Sequence, residues 1–481
     1  MPIVPEAWQV LADKAVSKPS AFCQGALLIL ACTFPLLNTM KHIQRFYLGL
    51  TITFTLLWLW ADSAWLGSSN YFVWRSAFTN WTGVLGMAVM SLGMILSVRP
   101  VSLEPRLGGL DKMYRLHKWL GITGLVLSII HWALAKSPKY LINLGWVERP
   151  GPRVRGALPP GLEGVFLSQR GLAETLGEYA FYALCVLLLL ALIKHFPYKH
   201  IFKTHRWMAV VYLVLVVHAV VLMKFSFWTQ GVGLFSAVLM VLGSAAAVVS
   251  LLRRVGIQRR AEGVIEALEH HPESGVLRVD VRLQDRWDGH DAGQFAFVTF
   301  DPAEGQHPFT MSSAWQNDGR LVFLIKDGGD YTKTLPTKLK VGQACTVEGP
   351  YGRFVFNSEV PRQIWVAGGI GITPFMARMQ ALAKQGNEQP VDLFWSVREL
   401  EDHMLHRVQA AASRAKVRLH MIRDGQNAPL TAQGISTLVP AWGQGDVWFC
   451  GPVGFGAALR EGFNRLGLGS GRFHQELFQM R

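Results

Sequence analysis

Tyr114-Arg-Leu-His117-Lys-Trp-Leu-Gly121 opens an apolar stretch that closes on Leu127-Ser-Ile-Ile-His131-Trp132. A second stretch repeats the design: Lys203-Thr-His205-Arg-Trp207 leads into Leu215-Val-Val-His218-Ala-Val220. At a helical rise of about 1.5 Å per residue, spacings of 14 and 13 residues set each pair of imidazoles about 20 Å apart. That is most of a hydrocarbon core about 30 Å thick. Two such helices side by side offer an upper and a lower histidine pair, His131 with His218 and His117 with His205. A neutral imidazole is a good axial ligand for haem iron, so each pair is a candidate to hold one porphyrin from both faces. Fourteen residues return to within about 40° of the same helix face, but thirteen miss by about 140°. The second helix therefore needs a kink or bulge, or its two haems are approached from different rotations.

Outward from these stretches, the first half of the chain is apolar. Seven runs stand out, near Phe22–Asn38, Phe46–Leu66, Trp81–Val98, Tyr114–Leu134, Ala173–Ile193, Trp207–Met223 and Gly231–Leu252. Most approach or reach spanning length, and helices are the economical way to satisfy backbone groups in lipid. Lys41–Arg45, Arg99–Arg115, Lys194–Arg206 and the exit with Arg253, Arg254, Arg259 and Arg260 are basic. Seven spans place all four on one side, which reads as cytoplasmic, with the N-terminus outside. The long opposite loop, Ala135–Leu172, also carries Lys136, Lys139, Arg149, Arg153, Arg155 and Arg170. In this orientation His117 and His205 lie inside and His131 and His218 outside. Arg115, Lys118 and Arg206 flank the inner pair, placed to meet haem propionates or lipid phosphate. His42, His195 and His200 sit in basic loops and read as surface residues. A single intramembrane histidine is often only an interhelical hydrogen-bonder; four in matched pairs at opposite helix ends point to a function.

The chain has 481 residues, is 50% hydrophobic and carries a formal net charge of +14. Loop charge beside membrane spans accounts for the basic balance, so nucleic acid is not expected as a partner. Cys23, Cys32, Cys185, Cys345 and Cys450 are scattered without a CxxC pair, which argues against a disulfide framework, a structural zinc or an iron–sulfur cluster. The first twenty residues lack a cleavable-signal pattern.

From Arg260 the texture changes to short alternating runs: Gly263-Val-Ile-Glu-Ala-Leu268, Val276-Leu-Arg-Val-Asp-Val281, Gln294-Phe-Ala-Phe-Val-Thr-Phe300 and Arg320-Leu-Val-Phe-Leu-Ile325. This spacing suggests a small antiparallel barrel. Within it, His307-Pro-Phe-Thr-Met-Ser-Ser313 is suited to lie along a flat heteroaromatic ring. In Gly328-Gly-Asp-Tyr-Thr-Lys-Thr-Leu335, free amides at a helix start are suited to a pyrophosphate, with Gly329, Tyr331 and Thr332 as candidate contacts. Val347-Glu-Gly-Pro-Tyr-Gly-Arg-Phe354 reads as a tight turn closing the barrel.

After Pro361, strands and helices alternate. The strand Ile364-Trp-Val-Ala367 runs into Gly368-Gly-Ile-Gly-Ile-Thr-Pro374 and a helix over Phe375–Lys384. Glycines at 368, 369 and 371 let a phosphate approach the backbone, and Thr373-Pro374 suits a first helical turn. Two further strands, Val391–Val397 and Asp446-Val-Trp-Phe-Cys-Gly-Pro452, complete a sheet that binds ligands at its carboxyl ends. Cys450 is either a nicotinamide neighbour or a small core residue. Ser396 and Arg398 follow a strand end where a 2′-phosphate would be met. In Arg472-Phe-His-Gln-Glu-Leu-Phe-Gln-Met-Arg481, Phe478 is the first candidate to cover a flavin face and Phe473 the second; the alternative is a terminal strand edge.

In this order the motifs resemble the ferric reductase and NADPH oxidase superfamily, in a bacterial single-chain form, from about residue 80 to the end. The resemblance implies a multi-domain chain: an α-helical transmembrane di-haem domain (1–255), an antiparallel β-barrel that binds FAD (256–357) and an α/β NAD(P)-binding domain (358–481). It implies two b-type haems on His117, His131, His205 and His218. It implies FAD contacts at His307, Pro308, Phe309, Thr310, Ser313 and Thr332, and nicotinamide-nucleotide contacts at Gly369, Gly371, Thr373, Pro374, Cys450, Gly451 and Pro452. Thr310, Cys450 and Phe478 are the candidates beside the reacting rings. The chain departs from the family pattern in an extra apolar span before the usual six, and it shows no calcium-binding loop. The implied activity is electron transfer from cytoplasmic NADPH, or NADH, across a bacterial inner membrane to an outer acceptor. A ferric chelate is the first choice and dioxygen, giving superoxide, the second. Electron donation to a periplasmic partner and a non-enzymatic haem-bearing sensor are the remaining options.

Overall fold

The computed structural model describes residues 41–151, 157–193, 198–398, 401–423, 428–469 and 471–476. The described chain forms two compact units, one within residues 1–103 and 113–255, the other from Glu104–Lys112 together with 256–480. The apolar run at Phe22–Asn38 lies outside the described residues, as does Phe478.

The first unit is all helical: α1 (Lys41–Ala61), α2 (Tyr71–Ser97), α3 (Leu110–Asn143), α4 (Leu162–Leu192), α5 (Tyr198–His205), α6 (Met208–Leu222) and α7 (Gly231–Leu251). Among the described residues five helices are long and apolar enough to cross a membrane: α2, α3, α4, α7 and the stretch Lys203–Leu222 that contains α6. Their outward faces carry exposed Tyr179, Val186, Leu189, Leu234, Val238 and Val241, as lipid-facing surfaces do. Inside, small and hydroxylated residues bring helices together. Ser91 Oγ and Tyr212 Oη lie 2.8 Å apart between α2 and α6. A Cβ on Gly243 would stand 2.2 Å from the same Tyr212 oxygen, so α7 approaches only because that position is bare.

Helix ends differ from the apolar limits read in the sequence. α2 starts ten residues before Trp81, where Asn70 Oδ1 accepts the Phe72 N–H at 2.8 Å as a cap. Polar Arg75 and Asn80 hide that extra turn from a hydropathy reading. α3 runs on to Asn143 and α4 begins at Leu162, so much of the expected outer loop is helix. There Lys136 meets Glu178 at 2.8 Å and Arg170 meets Glu174 at 2.9 Å.

The second unit has two sheets. The first is antiparallel, in the order β4-β3-β6-β1-β2-β5, from β1 (Arg260–His271), β2 (Val276–Leu283), β3 (Phe295–Thr299), β4 (His307–Thr310), β5 (Arg320–Lys326) and β6 (Ala344–Tyr351). Alternate residues such as Leu277, Val279 and Val281 fill its core. One bridge, Met311 to Phe323, links the two ends of the ladder without closing a continuous barrel. Residues 347–351, expected as a turn, belong instead to β6. Val347 and Glu348 pair with β1, and β6 has an extra residue against β3 between Glu348 and Tyr351. Pro350 sits in that bulge, where the ladder needs no N–H. The chain turns only at Gly352, with φ +101°.

The second sheet is parallel, in the order β11-β10-β7-β8-β9, from β7 (Arg362–Gly368), β8 (Val391–Val397), β9 (Arg418–Arg423), β10 (Gly445–Cys450) and β11 (Phe473–Gln475). Helices α8 (Thr373–Gln385), α9 (Asp402–Arg414), α10 (Ala432–Leu438) and α11 (Val453–Arg465) connect its strands. Its central strands are buried on both faces, hence nearly continuous in apolar residues. Asp392 is the exception: 2% exposed, it pairs with Arg362, Arg418 and His420 at adjoining strand starts. Burial alone would raise its carboxyl pKa; the His420 hydrogen bond, with Arg418 and Arg362, outweighs that and holds it below the ordinary aspartate value. A depressed folded pKa gives stability that is present above the unfolded value and is lost as pH falls through the folded one. Asp392→Asn is expected to destabilise this unit by about 3 kcal/mol at neutral pH. The difference from wild type should close as pH drops below about 4, which thermal unfolding followed by tryptophan fluorescence will measure.

Candidate cofactor sites

In the helical unit the four histidines meet in two pairs. The ring centres of His117 and His205 lie 5.8 Å apart, and those of His131 and His218 lie 6.2 Å apart. Two imidazoles bound to one metal through nitrogen contacts of about 2 Å would have centres about 6 Å apart. The thirteen-residue mismatch is resolved by a break: α5 ends at His205, and Arg206-Trp207 is a turn before α6. Tightened three-residue bonds there, Trp207 N–H to Thr204 O and Ala209 N–H to Arg206 O, reset the helix face between His205 and His218.

The other ring nitrogens are largely committed. His117 Nδ1 donates to Gly93 O at 2.9 Å, His131 Nδ1 to Thr79 O at 3.0 Å and His218 Nδ1 to Ala173 O at 2.8 Å. A neutral imidazole that donates through Nδ1 keeps its lone pair on Nε2, the form a metal needs. His205 Nδ1 is buried with no hydrogen-bond partner among the described residues. The backbone is bare where the rings lie. A Cβ on Gly83 would stand 3.3 Å from His131 Cε1, and one on Gly177 only 2.0 Å from His218 Nδ1. A cavity of about 650 Å³ surrounds the outer pair, lined by Gly83, Gly86, Met87, Met90 and Gly177 among others. Its volume is in the range of small-molecule sites. These residues fit a porphyrin held between imidazoles. The glycines were a missed signal: a glycine inside an apolar helix marks a close approach.

In the second unit the expected FAD residues gather at one edge of the antiparallel sheet. His307, Pro308, Phe309 and Thr310 form β4, and the His307 ring stacks on Tyr331 with centres 4.4 Å apart. Burial pushes the Tyr331 phenol up to about 12. Its hydroxyl is buried with no partner among the described residues. Ser313 is buried, and its Oγ accepts the Val322 N–H at 3.1 Å. Gly329 and Thr332 bond to each other, N–H to Oγ1 at 3.0 Å, and start a short helical turn in an exposed loop.

The glycine turn and the Cys450 loop cross closely. A Cβ on Gly368 would stand 2.7 Å from Pro452 Cδ, and one on Gly371 would stand 2.1 Å from Cys450 O. Gly369 has φ +56°. Thr373 and Pro374 open α8, which has no side-chain cap; the Thr373 N–H is given to Ile370 O of the turn before it. Ser396 lies at the end of β8 opposite Gly368 and Ile422, and Arg398 follows on an exposed bend; Arg423 ends the neighbouring strand. Phe473 is in β11 against Phe449 and Phe463, part of the sheet edge rather than a ring cover.

The residue that sequence reasoning passed over is Glu476. It is 5% exposed, and both carboxyl oxygens lack a hydrogen-bond partner among the described residues. A Cβ on Gly352 would stand 3.1 Å from its Oε1 and from Phe295, and Phe295 pairs with Thr310 across the sheet. Thr310, Phe295, Gly352, Glu476 and Cys450 thus form one neighbourhood joining the two sheets. Burial pushes the Glu476 carboxyl well up, with Asp111 adding to the shift. Burial and then Glu476 do the same to the Cys450 thiol. An acidic residue in an otherwise apolar end segment was the available cue.

Three family models match the chain in series. They are a ferric reductase like transmembrane component over residues 82–216, an FAD-binding domain over 266–355 and an oxidoreductase NAD-binding domain over 365–460. In series they give the chain a ferric reductase like transmembrane domain followed by FAD-binding and oxidoreductase NAD-binding domains. The electron transfer component of toluate 1,2-dioxygenase from Pseudomonas putida is 28% identical over 196 residues, 39% of this chain and 58% of that one. The ferredoxin–NAD(+) reductase component of an alkene monooxygenase system from Xanthobacter autotrophicus is 30% identical over 141 residues, 28% and 43% of the two chains. The chain thus spans about half the length of these relatives. Among solved structures, a flavohemoglobin from Malassezia yamatoensis is similar at 18% identity and a TM-score of 0.44, over 84% of this chain and 97% of that one.

Gly177→Ala should drive the His218 ring from its place. The expected result is loss of about half of the b-type haem absorbance per chain with FAD content unchanged, read from the pyridine haemochrome and flavin fluorescence of the purified protein.

Proposed function

We propose that this chain carries electrons across a bacterial inner membrane, from cytoplasmic NAD(P)H to an acceptor on the outer face. The observation that carries the reading is the two sets of opposed imidazoles, 5.8 and 6.2 Å between ring centres and steeply tilted to each other, at two levels of the helical unit. When bound, FAD takes a hydride from the nicotinamide, and haem iron carries electrons singly; the protein supplies position and environment. His117 and His205 would hold the inner haem, and His131 and His218 the outer one. Their Nδ1 bonds to α2 and α4 carbonyls would fix ring orientation without adding charge.

On the cytoplasmic side, the N-terminus of α8 and the bare Gly369–Gly371 turn would seat the nucleotide phosphates. Thr310 and Cys450 would flank the reacting rings. Glu476, whose carboxyl burial biases toward its neutral form, would limit negative charge in the hydride's path and could hold or release a proton there. Arg398 would meet a 2′-phosphate, giving a preference for NADPH.

A ferric chelate is the proposed acceptor, because the outer connection is basic and draws anions. Dioxygen is the second reading, favoured by one observation. The cations around the outer cavity are already engaged: Arg75 with Leu134 and Ala135 carbonyls, Lys136 with Glu178, Arg170 with Glu174 and Lys224 with Asp62.

The test uses the haem-loaded protein in lipid vesicles. His131→Ala and His218→Ala should leave flavin reduction by NADPH within about twofold of wild type and lower outer-face ferric chelate reduction by about tenfold or more. Undiminished reduction in both variants overturns the reading. A superoxide-dismutase-sensitive signal indifferent to chelate would reverse the order of acceptors. Arg398→Ala should raise KM for NADPH about tenfold, the worth of one charge-assisted contact, and leave KM for NADH unchanged.

A further inference from the structure

We infer that the second unit holds a binding site for a divalent ion of the zinc class, built from Glu269, His271 and His403. It lies where the end of β1 meets the start of α9, on the segment that follows Arg398. One ligand atom from each residue lies within 4.8 Å of the others.

Three observations carry the site. First, His271 is 5% exposed, and its Nε2 is buried with no hydrogen-bond partner among the described residues. That nitrogen faces Glu269 Oε1 at 3.5 Å. Second, the ring's other nitrogen is spoken for: His271 Nδ1 lies 2.9 Å from Glu401 Oε2, donating to it. Glu401 is itself fixed by the Ser274 N–H at 3.1 Å and the Ser274 hydroxyl at 3.2 Å. A carboxylate that takes the Nδ1 proton sets the Nε2 lone pair free and aims it, which is the outer-shell arrangement of metal-bound histidines. Third, the spacing suits a shared ion. His403 Nδ1 stands 3.7 Å from Glu269 Oε1, beside the 3.5 Å of His271. Both gaps are too long for hydrogen bonds. Two donors about 2.0–2.2 Å from one tetrahedral zinc lie about 3.4 Å from each other.

The remaining charge around the cluster leaves room for a cation. Glu269 Oε2 faces Arg407 at 3.2 Å and Arg278 at 3.9 Å, on the oxygen turned from the histidines. Arg278 is chiefly held by Asp280, through bonds of 2.6 and 2.8 Å. Glu269 can therefore bind through Oε1 alone while Arg407 stays on Oε2. Two imidazoles and one carboxylate oxygen are a borderline-soft set that selects zinc over magnesium or calcium. A fourth position is left for water. Because β1 belongs to the antiparallel sheet and α9 to the parallel one, the ion would clasp the two sheets of this unit.

The experiment uses untagged, haem- and FAD-loaded full chain in detergent, stripped with a chelator and dialysed against ZnCl2, with metal read by mass spectrometry. One high-affinity zinc per chain beyond any bound by a His403→Ala, Glu269→Gln double variant is expected. His403 is 62% exposed at its side chain, so His403→Ala alone will fold, and it should weaken zinc binding by about 100-fold. Glu401→Gln should weaken it by about 10-fold, through the outer-shell bond. Zinc should raise the thermal transition of wild type but not of His403→Ala. His406→Ala, an exposed histidine on the same helix, should change nothing. Zinc binding of equal strength in wild type and His403→Ala, or full displacement by an equal concentration of MgCl2, overturns the proposal.

Discussion

The structure turns on what an imidazole requires inside an apolar helix bundle. A buried ring nitrogen with no partner is costly, and a charged one more so. In three of the four intramembrane histidines the Nδ1 hydrogen is given to a carbonyl of a neighbouring helix. That bond turns each ring, chooses its tautomer and leaves the opposite nitrogen facing its partner. The carbonyls of Thr79 and Gly93 come from α2, and that of Ala173 from α4. The helices beside the histidine pair are therefore as much a part of the site as the pair itself. Bare backbone completes it: at Gly177 any side chain would occupy the place of the His218 ring.

Two neighbouring loops of the parallel sheet obey a related steric rule. The turn after β7 and the turn after β10 cross so closely that Gly368 and Gly451 almost touch at their α-carbons. The glycine turn and the Cys450 strand end are thereby brought together at the carboxyl ends of the strands. The antiparallel sheet reaches the same place through Phe295 and Gly352. A crevice formed from two sheets needs such bare positions on both, because side chains would hold the backbones apart.

How much of this was legible in the sequence depends on the range of the interaction. The histidine spacing and the order of strands after Arg260 are local patterns, and they were readable as periodicity. The break at Arg206-Trp207 was readable as a need, since thirteen residues cannot face one way, but its form depends on the tightened turn. The ends of α2, α3 and α4 were misjudged because polar side chains with caps and ion pairs prolong helices beyond their apolar parts. Residues 347–351 looked like a turn for their Gly-Pro, yet pairing on both sides and a bulge keep them in a strand. Gly177 and Glu476 were missed because their meaning lies in what stands opposite, His218 in one case and Gly352 with Cys450 in the other. No local pattern contains that information.

The same unit holds two buried carboxyls pushed in opposite directions. Asp392 is surrounded by Arg362, Arg418 and His420, which outweigh burial and favour its charged form. Glu476 has no hydrogen-bonded cation among the described residues, and burial favours its protonated form. Composition cannot separate them; environment does. A charged carboxylate suits the strand starts, where its partners tie three strands together. At the opposite end of the sheet, beside Gly352 and Cys450, the surroundings of Glu476 favour a neutral acid instead. The asymmetry is set by which side chains the parallel strands bring alongside each carboxyl.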